Sequence, residues 1–191
     1  MLPIVNRMRA ALRRHVLDIR DNGLIPEGSP IEGFDASRAP QAYPMERILD
    51  VADTAIRRDP VNLARPIRWL ADDHECIRYW AALGCVMLRE RAARAADALT
   101  LGSRERSGPV RVAAAEALCY TGRQREGLAV LQNLLLEDAS PWIRLQAAHA
   151  LQNVGPTAAA VLPAIEKAVS DGNDYVQRAS RYAAAALKHQ P

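Results

Sequence analysis

Lysine and phenylalanine are almost missing from this chain: two lysines stand beside 23 arginines, and Phe34 is the single phenylalanine among 191 residues. Aromatic side chains make up only 5% of the total, too little bulk for a β-sandwich interior. The 35 alanines, with Leu, Val and Ile, must build the core instead, and small residues of this kind suit closely packed helices. Cysteine is scarce as well. Cys76, Cys85 and Cys119 are an odd set without C-x-x-C spacing, which argues against a disulfide framework or a zinc site. Each falls in an apolar helical pattern and reads as a small core residue. No apolar run approaches the ~18 residues of a membrane span. The opening MLPIVNRMRAALRRHV has no long apolar stretch after its basic residues, so it does not read as a signal peptide, and the cytoplasm is the default expectation. With 49% hydrophobic and 25% charged residues the chain is not disordered.

A surplus of one charge is also missing. Net charge is +3, and its sign alternates along the chain: +4 over residues 1–20, −5 over 21–75, +4 over 86–125, −4 over 126–174 and +3 over 175–191. A dedicated nucleic-acid binder carries a larger and more clustered excess, so no nucleic-acid partner is expected, and no membrane.

What the sequence does have is an internal repeat. Ile77-Arg78, Val110-Arg111, Ile143-Arg144 and Val176-Gln177 share one frame, since 110−77, 143−110 and 176−143 all equal 33. Ala81, Ala114, Ala147 and Ser180 follow in the same frame, each inside a helix of small residues. Gly122 and Gly155, again 33 apart, stand where such helices should stop. Ser140-Pro141 and Gly108-Pro109 mark helix starts. Ahead of each lies another apolar segment, clearest at 127–136 and 159–169. Each unit is thus a helical hairpin that cannot bury both faces alone, and stacking supplies the missing partner. The expected architecture is an all-α, right-handed solenoid of about four hairpins over residues 61–191. In the last helix, Arg181, Lys188, His189 and Gln190 are read as solvating the outer end.

Residues 1–60 fall outside the frame and read as an N-terminal helical extension. Residues 5–20 form an amphipathic helix with Val5, Met8, Leu12 and Val16 on one side. Residues 21–44, rich in Gly, Pro and acids, read as an irregular strap, with Leu24, Ile25, Ile31 and Phe34 available to hold it on another surface. Residues 44–58 read as a helix capping the first hairpin.

An acid precedes each framed arginine by six residues: Asp72 and Arg78, Glu105 and Arg111, Asp138 and Arg144; Asp171 keeps the acid where Gln177 replaces the arginine. The acid falls in the turn and the arginine early in the second helix, so stacking can fork an arginine onto a carboxylate and fix registry. An arginine-lined groove for phosphate or sulfate is the other reading. Around this ladder the chain resembles HEAT-repeat proteins, over about residues 61–188. Asp138, Ile143, Arg144, Ala147, Ala148, Ala150 and Leu151 match that family's motif; the second unit matches with Glu105 for Asp, the first departs at Gly84 and Cys85, and the fourth is weakest. The resemblance implies a non-catalytic scaffold with a protein partner. A narrower likeness lies upstream. Residues 12–28 and 43–55, through Asp21, Gly23, Pro26 and Glu27, resemble the segment after the catalytic domain of bacterial sulfatases that carry HEAT-like tails. That likeness implies a tail beside an adjacent catalytic domain and an exported location.

Chemistry is hard to place. Cys85 to Arg89 and Cys119 to Arg123 have the spacing of a C-x-P-x-R sulfatase nucleophile but lack its proline. The paired aspartates of such a calcium site are absent too, so neither ion nor nucleophile is supplied. Asp72-Asp73-His74-Glu75 is dense in possible ligands, yet consecutive turn residues diverge and read as a solvated turn. No cofactor is expected. The aromatics that recur near the second-helix starts, Tyr79, Trp142 and Tyr175, together with His149, read either as filler between hairpins or as a partner-binding strip. Three roles follow: the tail of a sulfatase-family hydrolase, a free-standing scaffold, or a repeat-type protein acting on alkylated DNA bases, the last disfavoured by the charge balance.

Overall fold

The computed structural model describes residues 2–188, and these are all-helical, a solenoid of stacked helical hairpins. Helices α1 (Leu2–Ile19), α2 (Phe34–Arg38) and α3 (Met45–Arg57) make up the extension. Four hairpins follow: α4 (Ala64–Trp69) with α5 (Glu75–Leu88), α6 (Ala96–Gly102) with α7 (Gly108–Tyr120), α8 (Gln124–Glu137) with α9 (Pro141–Val154), and α10 (Leu162–Ala168) with α11 (Asp174–Lys188). The second helices stack in order, α5 on α7, α7 on α9 and α9 on α11, and α3 extends that layer by packing on α5. The first helices form the other layer, with α8 in contact with α7, α9 and α10.

Local chemistry decides the helix bounds. The first helices of the second and fourth units begin as 3₁₀ segments, Arg89–Ala95 and Gly155–Val161. The single helix expected across 159–169 is therefore split. Pro163 sits in the first turn of α10, where its missing N–H costs nothing, whereas inside a continuous helix it would break the ladder. The cap of α7 is Ser107 rather than Gly108: its hydroxyl accepts from the Val110 N–H at 3.4 Å. Gly122 and Gly155 both take positive φ, 88° and 68°, a conformation glycine reaches without a Cβ penalty. Of the residues expected at the outer end, Lys188 pairs with Glu166 at 2.6 Å and Arg181 donates to Gln177, while His189 and Gln190 lie outside the described residues.

The middle of the solenoid is α7. Every residue from Pro109 to Cys119 except Arg111 is buried. Val112, Ala115 and Cys119 join the core formed with α8, α9 and α11, while Ala113, Ala114, Ala117 and Leu118 join the core formed with α3 and α5. A helix apolar all round is one packed on every side. Alanine makes this possible because it lets neighbouring backbones approach.

The approach is closest at Gly127 on α8. A Cβ there would stand 2.5 Å from the Ala115 carbonyl oxygen and 2.7 Å from Cys119 Sγ. The nearest atom is backbone, so α7 and α8 would have to separate. Gly→Ala in a helix ordinarily gains about 0.8–1 kcal/mol, but overpacking costs about 1–3 kcal/mol. Contact with rigid backbone places the cost at the upper end. Gly127→Ala should therefore destabilise by about 1–2 kcal/mol net, read as a lower urea midpoint at unchanged m-value.

Candidate functional site

The framed arginines reach forward. Arg78 Nε lies 2.7 Å from Glu105, Arg111 Nη2 2.8 Å from Asp138, and Arg144 Nε and Nη2 2.8 and 3.0 Å from the two oxygens of Asp171. Each carboxylate belongs to the next hairpin's turn. The acid six residues before each arginine serves differently: Arg78 Nη1 donates to the backbone carbonyls of Asp72 and Asp73, and Arg144 Nη1 to that of Asp138. Gln177 makes this carbonyl bond alone, at 2.7 Å to Asp171. The aspartates also organise their own turns, because Asp72, Asp138 and Asp171 accept from the backbone N–H two residues on. Glu105, one methylene longer, meets Arg78 as an ion pair without hydrogen-bond geometry, and its Oε1 and the Arg78 Nε have no hydrogen-bond partner. Arg47 on α3 adds a rung of the same kind with Asp72 at 2.7 Å. Sequence reasoning missed it because α3 stands outside the 33-residue frame.

The Asp72–Glu75 turn disperses its side chains. His74 Nε2 is 2.8 Å from the Ala42 carbonyl, and its Nδ1 accepts from the Cys76 N–H. Glu75 accepts from the Ser29 and Ser107 hydroxyls at 3.1 and 2.7 Å. Among the described residues no group of three or more His, Cys, Asp or Glu side chains is placed to hold a metal ion. All three cysteines are buried and free, and burial pushes their thiols up to about 12, far from the thiolate a nucleophile needs.

The strap lies across the second helices of its own chain. Trp80 on α5 donates to the Leu24 carbonyl at 2.9 Å, and Gln146 on α9 donates to the Glu27 carbonyl at 2.8 Å. Gly28, at φ 77°, sits against Trp142 and Ile143 of α9, and Pro26 and Ser29 are buried. Leu24, Ile25 and Ile31 pack on the core around α5, but Phe34 stays 65% exposed, stacked under Arg38. The strap returns through Tyr43, fully buried, whose hydroxyl donates to the Asp21 carbonyl.

This crossing divides the four aromatic and histidine candidates. Tyr79 is half-buried on α5 against Trp80, and burial, then the nearby Glu116, raise its phenol above the ordinary range. Trp142, His149 and Tyr175 are exposed on α9 and α11. Trp142 and Tyr175 are neighbours with ring centroids 6.2 Å apart, and the Arg178 guanidinium lies 4.8 Å over Tyr175. Tyr182, 70% exposed, lies further along α11. Glu116 on α7 was missed altogether. It is buried, accepts from Asn153 at 3.3 Å, and its carboxyl is raised to about 7 by burial, against the opposing pull of Asn153 and Arg89. The repeat frame held the signal, since 149−116 equals 33 and sets Glu116 at the position of His149.

The fold and its rungs define a stacked helical-hairpin protein. Residues 96–186 match the family model of HEAT repeats. HEAT repeats commonly mediate protein interactions, and the match spans the second to fourth hairpins. No curated protein matches it.

Two titrations probe the site. Arg144 and Asp171 have side chains only 17% and 12% exposed, so their pair is worth more than a surface bridge. Arg144→Ala should cost about 1–3 kcal/mol near neutral pH. The Asp171 carboxyl is held low chiefly by the Arg144 hydrogen bond. Its contribution is present above the ordinary carboxylate range and fades as pH falls below about 4, so chemical denaturation should show the two proteins converging in acid. Glu116 has the opposite sign. Its raised carboxyl makes folding less favourable as pH rises from the ordinary range to about 7. Glu116→Gln keeps an acceptor for Asn153 and removes that loss. Its stability relative to the parent should grow by about 2–3 kcal/mol between pH 4 and pH 8.

Proposed function

We propose that this chain is a protein-interaction module that takes its partner on the strip formed by Trp142, His149, Tyr175, Arg178 and Tyr182. The observation that carries the reading is the exposed Trp142–Tyr175 pair, with Arg178 over Tyr175, on an otherwise aromatic-poor protein. Trp, Tyr and Arg are the side chains in which interface energy concentrates, because they bury much area at low conformational cost. The strap reaches α5 at Trp80 and the start of α9 at Gln146, so the open part of this face is the exposed side of Trp142, His149 and α11. The ladder arginines are better suited to registry than to anion binding, since their donors are turned to carboxylates and carbonyls of the turns.

The tail of a sulfatase-family hydrolase is the narrower form of this reading, with the partner in cis. It draws on Asp21, Gly23, Pro26 and Glu27, and each of these has work within the chain. Asp21 accepts from the Gly23 N–H and the Tyr43 hydroxyl, Glu27 from Gln146, and Pro26 is buried. The free-standing scaffold therefore accounts for these residues equally well.

A photo-crosslinking amino acid placed at Trp142 or Tyr175 tests the proposal in the expressing cell. A discrete adduct is expected from these positions and not from Gln132, exposed on the opposite layer. Trp142→Ala with Tyr175→Ala should abolish the adduct formed from Tyr182 while leaving the thermal midpoint nearly unchanged. Adducts from Gln132 alone, or adducts insensitive to the double substitution, would move the interaction off this strip.

A further inference from the structure

Helix α1 is attached to the body by its second half only. Val16 and Leu17 pack on the core around α5, and Arg13 pairs with Asp50 and Asp53 of α3 at 2.8 and 3.5 Å. Residues 3–10 are exposed on every side. A helix this short is marginal in water without a tertiary partner, so the exposed half needs one. Its surface is not neutral. Ile4, Met8 and Leu12 are 59%, 61% and 63% exposed and, at four-residue spacing, form one stripe. Arg7, Arg9 and Arg14 on the same helix have no carboxylate within 4 Å among the described residues.

The stripe runs into a groove of about 890 Å³ between α1 and α3, where Leu12 and Val16 face Leu49 and Ile56. Ile56 is itself 60% exposed. The α3 wall carries two aspartates ahead of Arg57 at its end: Asp50 and Asp53 keep side-chain exposures of 55% and 49% even with Arg13 laid across them. Basic arm and acidic wall therefore stand side by side on one surface, +4 over residues 1–20 beside −5 over residues 21–75.

We propose that α1 is a dimerisation arm, its Ile4–Met8–Leu12 stripe packing on the α1–α3 groove of a second copy and its free arginines facing that copy's Asp50 and Asp53. A surface that holds both members of a complementary pair meets its own match under two-fold symmetry, where every contact is made twice. An anionic bilayer would accept the stripe and the arginines but would be repelled by the adjoining aspartates. The arm is separate from the α9–α11 strip, so either assignment stands without the other.

Sedimentation equilibrium of the full chain, from about 1 to 100 µM, should give the mass of two copies, with a dissociation constant that rises with added salt. Met8→Asp and Arg9→Glu each change an exposed side chain that makes no hydrogen bond or ion pair among the described residues, so circular dichroism should report intact folding. Each should weaken the dimer by about tenfold or more. A single-copy mass throughout that range overturns the proposal, and so does a dimer indifferent to both substitutions. Co-sedimentation of a single-copy protein with vesicles of phosphatidylglycerol and phosphatidylcholine would overturn it in favour of a lipid surface.

Discussion

One guanidinium, divided between two turns, is the contact on which the stacking of this protein depends. Arg144 shows it most fully: one nitrogen holds the carbonyl of Asp138 in its own turn, and two others hold the carboxylate of Asp171 in the next. The apolar surfaces between hairpins are rich in alanine, and short side chains of similar size give one helix little purchase on another. Dispersion and burial favour many slightly slid arrangements nearly equally. A planar, bidentate ion pair does not, because it is strong only at one distance and one orientation. The rung therefore supplies the direction that the alanine core lacks. Gln177 illustrates the division of labour: without a charge it retains the bond to its own turn, and its amide oxygen accepts only from Arg181 of the same helix.

The strap applies a second constraint of a different kind. Trp80 and Gln146 grip it by the carbonyls of Leu24 and Glu27, so backbone position, not side-chain identity, is what the second helices recognise there. Glu75 joins the strap to the repeats by accepting from Ser29 on one side and Ser107 on the other. One carboxylate thereby ties the extension to the starts of both α5 and α7. These bonds use groups that the ladder leaves free, so the strap adds to the registry without competing for it.

How far the sequence discloses all this depends on the range of the interaction. The period of 33 was plain in Ile77, Val110, Ile143 and Val176, because each repeat places the same residue against the same neighbour. Turn and helix signals were legible for the same reason, apart from the break at Pro163 and the cap at Ser107, where a proline and a hydroxyl shifted a boundary by a residue or two. The direction of the rungs was not legible. A six-residue spacing suggests a partner within the turn, and only stacking reveals that the carboxylate 27 residues on is nearer. The rung from Arg47 and the docking of Leu24–Ser29 were hidden altogether, since both join segments with no common period.

Glu116 and His149 show what the repeat frame fixes and what it leaves open. They hold equivalent positions on adjacent second helices, so the frame turns both toward the same side. Yet one is buried with its carboxyl raised to about 7, and the other is exposed. The frame sets direction, while burial is set by what happens to lie above. Over α5 that is the strap at Leu24, and beside Glu116 it is Asn153 of α9. Over the start of α9 it is the strap at Glu27 and Gly28, and no strap residue is hydrogen-bonded to α11 among the described residues. The same surface is therefore structural interior at one end and open to solvent at the other. A repeat protein built from near-identical units acquires polarity in this way without altering the units, by laying one aperiodic segment across part of its length.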